Sequence, residues 1–299
     1  MLLAIPALRA LRERAAGAPL TLAAQPRIGR LLTTLGVADR SLDFEALGLD
    51  ALFSLEIGAG DEWPPRCAED LRRATRIVAW FGSRDPDFVR RLTTLAPGVV
   101  VAPSVGSDRP VWEHLLDTVG GAVDRSAFRA PLTMPASIVD EAGCLLRRDG
   151  WDGEVPLVVV HPGAGGRGKR WSAAGFAAVL SGITATASDF DVVLHRGPAD
   201  AEAVDVLSSL LSRRVIVLEE PELSLLAGVL SQATAYLGND SGISHLAAAL
   251  AVPSAVLFTR ERLAWRPWAK HVEPQVVSMT SPEEEDVARA IAALAPRLR

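Results

Sequence analysis

Lysine is almost missing from this chain. Lys169 and Lys270 are the two lysines in 299 residues, and arginine supplies the other strongly basic side chains. Cysteine is as scarce. Cys67 and Cys144 lie far apart in sequence without metal-ligand spacing. That excludes a disulfide scaffold and a cysteine metal centre, and reads as small buried hydrophobes in a reducing compartment. No apolar run approaches the roughly 18 residues needed to span a bilayer. The opening Met1-Leu2-Leu3-Ala4-Ile5-Pro6-Ala7-Leu8-Arg9 has no basic segment ahead of an apolar one and no cleavage site, so no signal peptide is expected. The resulting expectation is a cytoplasmic protein, with a peripheral place at the inner membrane surface left open. Positive charge is not in excess either: the net charge is −5, residues 1–150 carry 18 basic and 19 acidic side chains, and residues 151–299 carry 13 and 17. Without a basic half, nucleic acid is excluded as the main partner.

What is present is apolar and periodic. A hydrophobic content of 49% is enough to bury large cores without disulfides or metals, and the length suits two domains. Short apolar runs alternate with helical patterns, the mark of parallel α/β architecture. Strands are expected at 20–23, 51–55, 76–81 and 99–102, then at 157–160, 190–195, 214–218, 234–237 and 254–258. Helices are expected at 4–16, 84–95, 107–119 and 136–148, then at 172–187, 200–212, 222–231 and 242–251. The polar, glycine-bearing link 148–153 suggests an N-terminal domain over 1–150 and a C-terminal one over 151–280. A closing helix is expected within 281–299, where Ser281 caps, Pro282 takes the first helical position and acids fill the first turn. Two such α/β halves in tandem imply a cleft between them, where ligands usually lie.

Three strand exits could carry chemistry. The first is His161-Pro162-Gly163-Ala164-Gly165-Gly166-Arg167-Gly168-Lys169-Arg170-Trp171. An apolar strand stops at proline, becomes a glycine loop, and meets a lysine. Backbone amides can crowd an anion only where side chains do not obstruct them, and a compact ammonium suits a phosphate. Read alone, the loop fits a surface lysine beside a turn equally well. Residues 163–169 also begin a nucleotide P-loop, but the next position should hold a magnesium-binding hydroxyl and is Arg170. A P-loop NTPase is therefore the weaker alternative, and no metal is called for. The second exit is Asn239-Asp240-Ser241-Gly242-Ile243-Ser244-His245. Asp240 or Ser241 can cap a helix there, Gly242 leaves its first turn bare, and His245 shares a face with Ser241. An ordinary capped helix explains this segment somewhat better when it is taken alone. A serine hydrolase is rejected, because Gly-x-Ser-x-Gly is absent and three triad members on one helical turn cannot align. The third exit is Gly197-Pro198-Ala199-Asp200. Asp200 reads first as an N-cap and second as a holder of ribose hydroxyls. The stretch Trp265-Arg266-Pro267-Trp268 reads first as packing and second as a cover over the cleft.

Taken together the three exits resemble the glycosyltransferase family that contains the ADP-heptose:lipopolysaccharide heptosyltransferases. The match runs through His161-Pro162-Gly163, Lys169-Arg170-Trp171, Gly197-Pro198-Ala199-Asp200 and Asn239 to Ala249, in order, across nearly all of 157–258. The opening Ile5-Pro6-Ala7-Leu8-Arg9-Ala10-Leu11-Arg12 is similar to the family's first helix. The resemblance implies a GT-B fold, two Rossmann-like domains facing a cleft. It implies metal-independent, inverting transfer without a cofactor. The donor would be a nucleoside-diphosphate sugar of ADP-heptose type, and the acceptor a saccharide or lipid-linked saccharide, such as lipopolysaccharide core. Lys169 with the amides of Ala164 and Gly165, in the loop opened by Gly163, would meet the diphosphate from one side. Asp240, Ser241, Gly242 and His245 would meet it from the other, and Asp200 would hold the ribose.

Two departures stand out. The family's first strand and its Gly-Asp turn, source of the expected catalytic base, would precede Met1, so no catalytic residue is assigned and the N-terminal domain is expected to lack that strand. A late start or a truncated enzyme is the preferred explanation. The others are a substitute carboxylate such as Asp85 or Asp87, or a protein that binds a nucleotide sugar without transferring it. Also, Phe258-Thr259-Arg260-Glu261 stands where the family has a Gly-Pro-Thr turn, which bears on the donor-sugar contacts.

Overall fold

Leu157-Val158-Val159-Val160 offers an apolar side chain to both faces of a strand, and in the computed structural model it lies in the interior of a sheet, fully buried. The structure describes residues 1–15, 17–53, 63–64, 66–121, 124–185, 189–272 and 274–298. The chain divides into two compact units, Met1 with Leu3–Phe128, and Leu2 with Arg129–Arg299.

In the first unit, α1 (Ile5–Arg14) is followed by β1 (Thr21–Ala24), α2 (Pro26–Thr34), β2 (Arg40–Asp43), the short α3 (Glu69–Arg72), β3 (Val78–Ala79), α4 (Pro86–Leu95), β4 (Val100–Val101) and α5 (Val111–Thr118). β1 pairs with β2 and β3 with β4, both in parallel. Leu47, Leu49, Leu52, Ala79, Phe88 and Leu92 form one core cluster. Asp85 starts α4 by accepting from the Phe88 amide at 2.8 Å, with Pro86 in the first turn where its missing N–H costs nothing.

The second unit holds α6 (Ala136–Arg148), β5 (Leu157–His161), α7 (Ala173–Thr184), β6 (Asp191–Arg196), α8 (Ala201–Leu210), β7 (Ile216–Glu219), α9 (Leu223–Gln232), β8 (Ala235–Asn239), α10 (Gly242–Ala249), β9 (Ser254–Phe258), β10 (Pro274–Val276) and α11 (Glu284–Leu294). All six strands are parallel, in the order β10-β9-β8-β5-β6-β7. From β5 the chain winds outward through β6 and β7, then returns to the other side of β5 and winds outward again. β5 and β8 therefore flank the point where the winding reverses. In such sheets ligands settle at the carboxyl ends of the strands on either side of that point.

The differences from expectation have local causes. The expected strand 51–55 is a 3₁₀ turn over Leu49–Leu52, and positions 54 and 55 lie outside the described residues. β2 was not expected because Arg40-Ser41-Leu42-Asp43 has one apolar residue and no buried one. The closing helix begins at Glu284 with Glu283 at the N-cap position, so Ser281 and Pro282 precede it. The units divide earlier than the link 148–153, since α6 packs along α9 of the second unit. Cys67 is buried as expected, while Cys144 is exposed on α6. Trp268 is fully packed. Among the described residues no helix is long and apolar enough to cross a membrane.

Candidate functional site

β5 ends in His161-Pro162, and the chain leaves the sheet as the loop 162–166 before a 3₁₀ turn over Arg167–Lys169. Gly163 is required sterically. A Cβ there would sit 2.1 Å from the Asp200 carboxyl carbon. Around Gly165, Gly166 and Gly168 an added Cβ would meet nothing within 4 Å, so the loop's backbone faces open space. Asn239, at the end of β8 and fully buried, closes the loop. Its Nδ2 donates to the Pro162 carbonyl at 2.8 Å, and its Oδ1 accepts from the Trp171 amide at 3.0 Å. One side chain thus ties both ends of the loop to the neighbouring strand and fixes where Lys169 emerges.

α10 starts immediately beyond. Ser241 is its N-cap, accepting from the Ser244 amide at 3.3 Å, and the expected alternative cap, Asp240, is used otherwise. Ser244 is held beneath by the Tyr236 hydroxyl at 2.8 Å and by the Asn239 carbonyl. Nothing lies within 4 Å of a Cβ placed on Gly242. A helix start keeps unpaired amides and a partial positive charge, which suit an anion.

Asp240 joins the two exits. It is 4% exposed, and Lys169 Nζ lies 3.0 Å from its Oδ2. His245 Nε2 is 3.8 Å from Oδ1. Burial lowers the His245 pKa to about 4, against the opposing pull of Asp240, so the imidazole is neutral at pH 7 and the charge partner of Asp240 is not this ring. A further cation reaches the same carboxylate: Arg262, in the 3₁₀ turn Arg260–Trp265 after β9, places Nε 3.4 Å from Oδ2.

The third exit is tied to the first, through Arg170 and His161. Asp200 stands at the N-cap position of α8 but bonds no α8 amide, which corrects the capping expectation. Its Oδ2 accepts from the Gly197 amide at 3.2 Å, and its Oδ1 lies 3.7 Å from Arg170. Arg170 also donates to the Ala199 carbonyl at 2.8 Å. Asp200, His161 and His195 are buried together, with His161 Nδ1 and His195 Nδ1 3.0 Å apart and ligand-type atoms of all three within 4.8 Å of one another. They are the described residues whose spacing could admit a metal ion. Burial lowers His161 to about 4, and the Arg170 guanidinium already supplies positive charge beside the carboxylate.

Of the expected site residues, the structure brings Lys169, Asp240, Ser241, Gly242 and His245 to one place. Gly163, Ala164 and Gly165 form the adjoining loop, with Ala164 buried, and Asp200 lies behind Gly163. Sequence reasoning passed over the roles of Asn239 and Arg262. Asn239 carried a signal, a polar residue closing an apolar strand. Arg262 carried none in an arginine-rich chain. The candidate substitute bases are engaged locally: Asp85 caps α4, and Asp87 pairs with Arg90 at 2.6 Å, which lowers its pKa.

A family model described as glycosyltransferase family 9 (heptosyltransferase) matches residues 123–291, more than half of the chain and nearly all of the second unit. The chain belongs to glycosyltransferase family 9. Its fold agrees. The ADP-heptose lps heptosyltransferase II of E. coli is 17% identical and superposes with a TM-score of 0.73, covering 100% of this chain and 95% of that one. A family 9 glycosyl transferase from Veillonella parvula is 16% identical with a TM-score of 0.74, covering 99% and 93%. The E. coli heptosyltransferase WaaC, solved with ADP, is 14% identical with a TM-score of 0.64, covering 99% and 95%. At these identities the likeness is one of fold, and the fold is that of the GT-B type heptosyltransferases. No curated protein sequence matches the chain.

Proposed function

We propose that this family 9 chain is a transferase of heptosyltransferase type that takes a nucleoside-diphosphate sugar, with ADP-heptose as the donor class, and passes the sugar to a saccharide or lipid-linked saccharide acceptor. The observation that carries the reading is the meeting of Lys169 and the α10 N-terminus at the reversal point of the sheet, over a loop with open backbone. In such a transfer the bond between the anomeric carbon and the diphosphate breaks, and negative charge grows on the departing diphosphate. Fixed donors aimed at that charge lower the barrier because they need no reorganisation as it develops. The ammonium of Lys169, the amides of Ala164 and Gly165 and the first-turn amides at Gly242 are those donors here. Ser241 caps the Ser244 amide and fixes the start of the turn, and His245 backs Asp240. The ribose goes to Asp200, whose Oδ1 is the oxygen not taken by the Gly197 amide.

Neither Asp85 nor Asp87 is given the part of general base for the acceptor, since each is engaged where it stands. The test has two stages. Calorimetric titration with ADP, UDP and GDP should show binding of at least one, with ADP preferred; no heat with any of the three sinks the reading. Incubation with ADP-heptose and a core saccharide, followed by mass spectrometry of the acceptor, separates transfer from binding alone. A nucleotide sugar that binds while no acceptor gains mass leaves a binding protein without transfer.

A further inference from the structure

Lys169 and Arg262 come from different strand exits and converge on a single oxygen, Asp240 Oδ2, at 3.0 and 3.4 Å. Two cations thus share one buried carboxylate, and the third neighbour, His245, is neutral at neutral pH. The cluster carries a surplus positive charge next to the open first turn of α10. Arg262 is not spent on Asp240. Its Nε faces the carboxylate and its guanidinium lies 5.2 Å from the centre of the Trp265 ring, while among the described residues its two Nη groups make no hydrogen bond. The acid of the same turn, Glu261, is exposed and bonds its own amide and the Thr259 hydroxyl, so it does not offset Arg262.

Resting on the donor-binding reading above, we infer that Arg262 is a second phosphate-binding residue, which grips the diphosphate with its Nη fork while Asp240 holds it in register with Lys169. A carboxylate is a poor ligand for a diphosphate, since like charges repel. Asp240 serves better as a positioning residue, whose buried charge draws both cations to one point before the ligand arrives. A guanidinium with a free planar fork offers paired hydrogen bonds to phosphate oxygens, which a lone ammonium cannot. The Arg260–Trp265 turn supplies it at the exit of β9, beside β8 in the sheet, so three adjacent strands β5, β8 and β9 each contribute one element to the anion site.

The experiment compares whichever of ADP, UDP or GDP the wild-type chain binds with its monophosphate, on wild type, Arg262→Ala, Arg262→Lys and Lys169→Ala. Arg262→Ala should weaken the diphosphate about tenfold or more, the size of a lost charge-assisted hydrogen bond, and leave the monophosphate within about twofold. Arg262→Lys should recover only part of the loss. Unaltered diphosphate affinity in Arg262→Ala, with Lys169→Ala weakened, overturns this inference and leaves the donor reading intact. Equal losses for both nucleotides also overturn it, because they assign Arg262 a purely structural part. If no diphosphate binds to wild type, the donor reading fails and takes this inference with it.

Discussion

Lys169 Nζ stands 3.0 Å from Asp240 Oδ2, although the two residues leave the sheet from different strands, β5 and β8. The lysine is 28% exposed and the carboxylate 5%. A partly exposed cation is thus tethered by a buried anion at the reversal point of a doubly wound sheet.

That tether should be measurable in stability. Asp240→Asn leaves Lys169 and Arg262 without their shared counter-charge and should lower unfolding free energy by about 1 kcal/mol, a small loss because both cations are partly solvated. In a double-mutant cycle with Lys169→Met, read from urea midpoints, a coupling of about 0.5–1 kcal/mol is expected, reduced by solvent on the lysine side. Additive losses would show that the pair does not act as a unit.

Asn239 ties both ends of the 162–171 loop, and Asn239→Ala leaves the Trp171 amide and the Pro162 carbonyl without their partner inside the protein. A loss of about 2–4 kcal/mol is expected for two buried groups. Nucleotide affinity should fall with it. Hydrogen exchange at Trp171 reads the effect directly, and unchanged protection of that amide would refute the staple.

Much of this half of the molecule was legible in advance. β5 and β8 announce themselves because Leu157-Val158-Val159-Val160 and Ala235-Tyr236-Leu237 are apolar on both faces, as a strand covered on both sides must be. The loops after them were legible because proline and glycine punctuate them. β2 and β10 were not, since Arg40-Ser41-Leu42-Asp43 and Pro274-Gln275-Val276 carry little apolar signal and take strand form from their neighbours. The use of Asp200 was not legible either: an aspartate before a helix reads as a cap, and only the folded chain shows it turned back to the Gly197 amide against Gly163.

The contact between Gly163 and Asp200 gives a test of its own. Gly163→Ala drives a methyl into a buried carboxyl carbon 2.1 Å away, and overpacking of this kind costs about 1–3 kcal/mol. Asp200→Ala removes the obstacle, so the double variant should be less destabilised than the sum of the singles. Thermal melts of the three variants decide it, and simple additivity contradicts the packing account.

Acid should weaken the fold before the carboxylates titrate. Burial holds His245 and His161 near pKa 4 against an ordinary 6.5. The unfolded chain therefore takes up protons first as the pH falls. Stability contributed by the two neutral rings is fully present above pH 6.5 and is lost progressively down to about pH 4. The slope reaches at most about 1.4 kcal/mol per pH unit for each ring. Urea midpoints between pH 7.5 and 5 should decline, and His245→Gln should decline less steeply. The same slope in both proteins would show that His245 is not held neutral by the fold.

The central claim, that the exits of β5 and β8 form one diphosphate site, meets its most direct test in one calorimetric titration of ADP into wild type and Lys169→Ala. Wild type should bind and the variant should bind at least about tenfold more weakly, as expected on losing one charged phosphate contact. Equal affinity in the two proteins, or no binding by wild type, would contradict the claim.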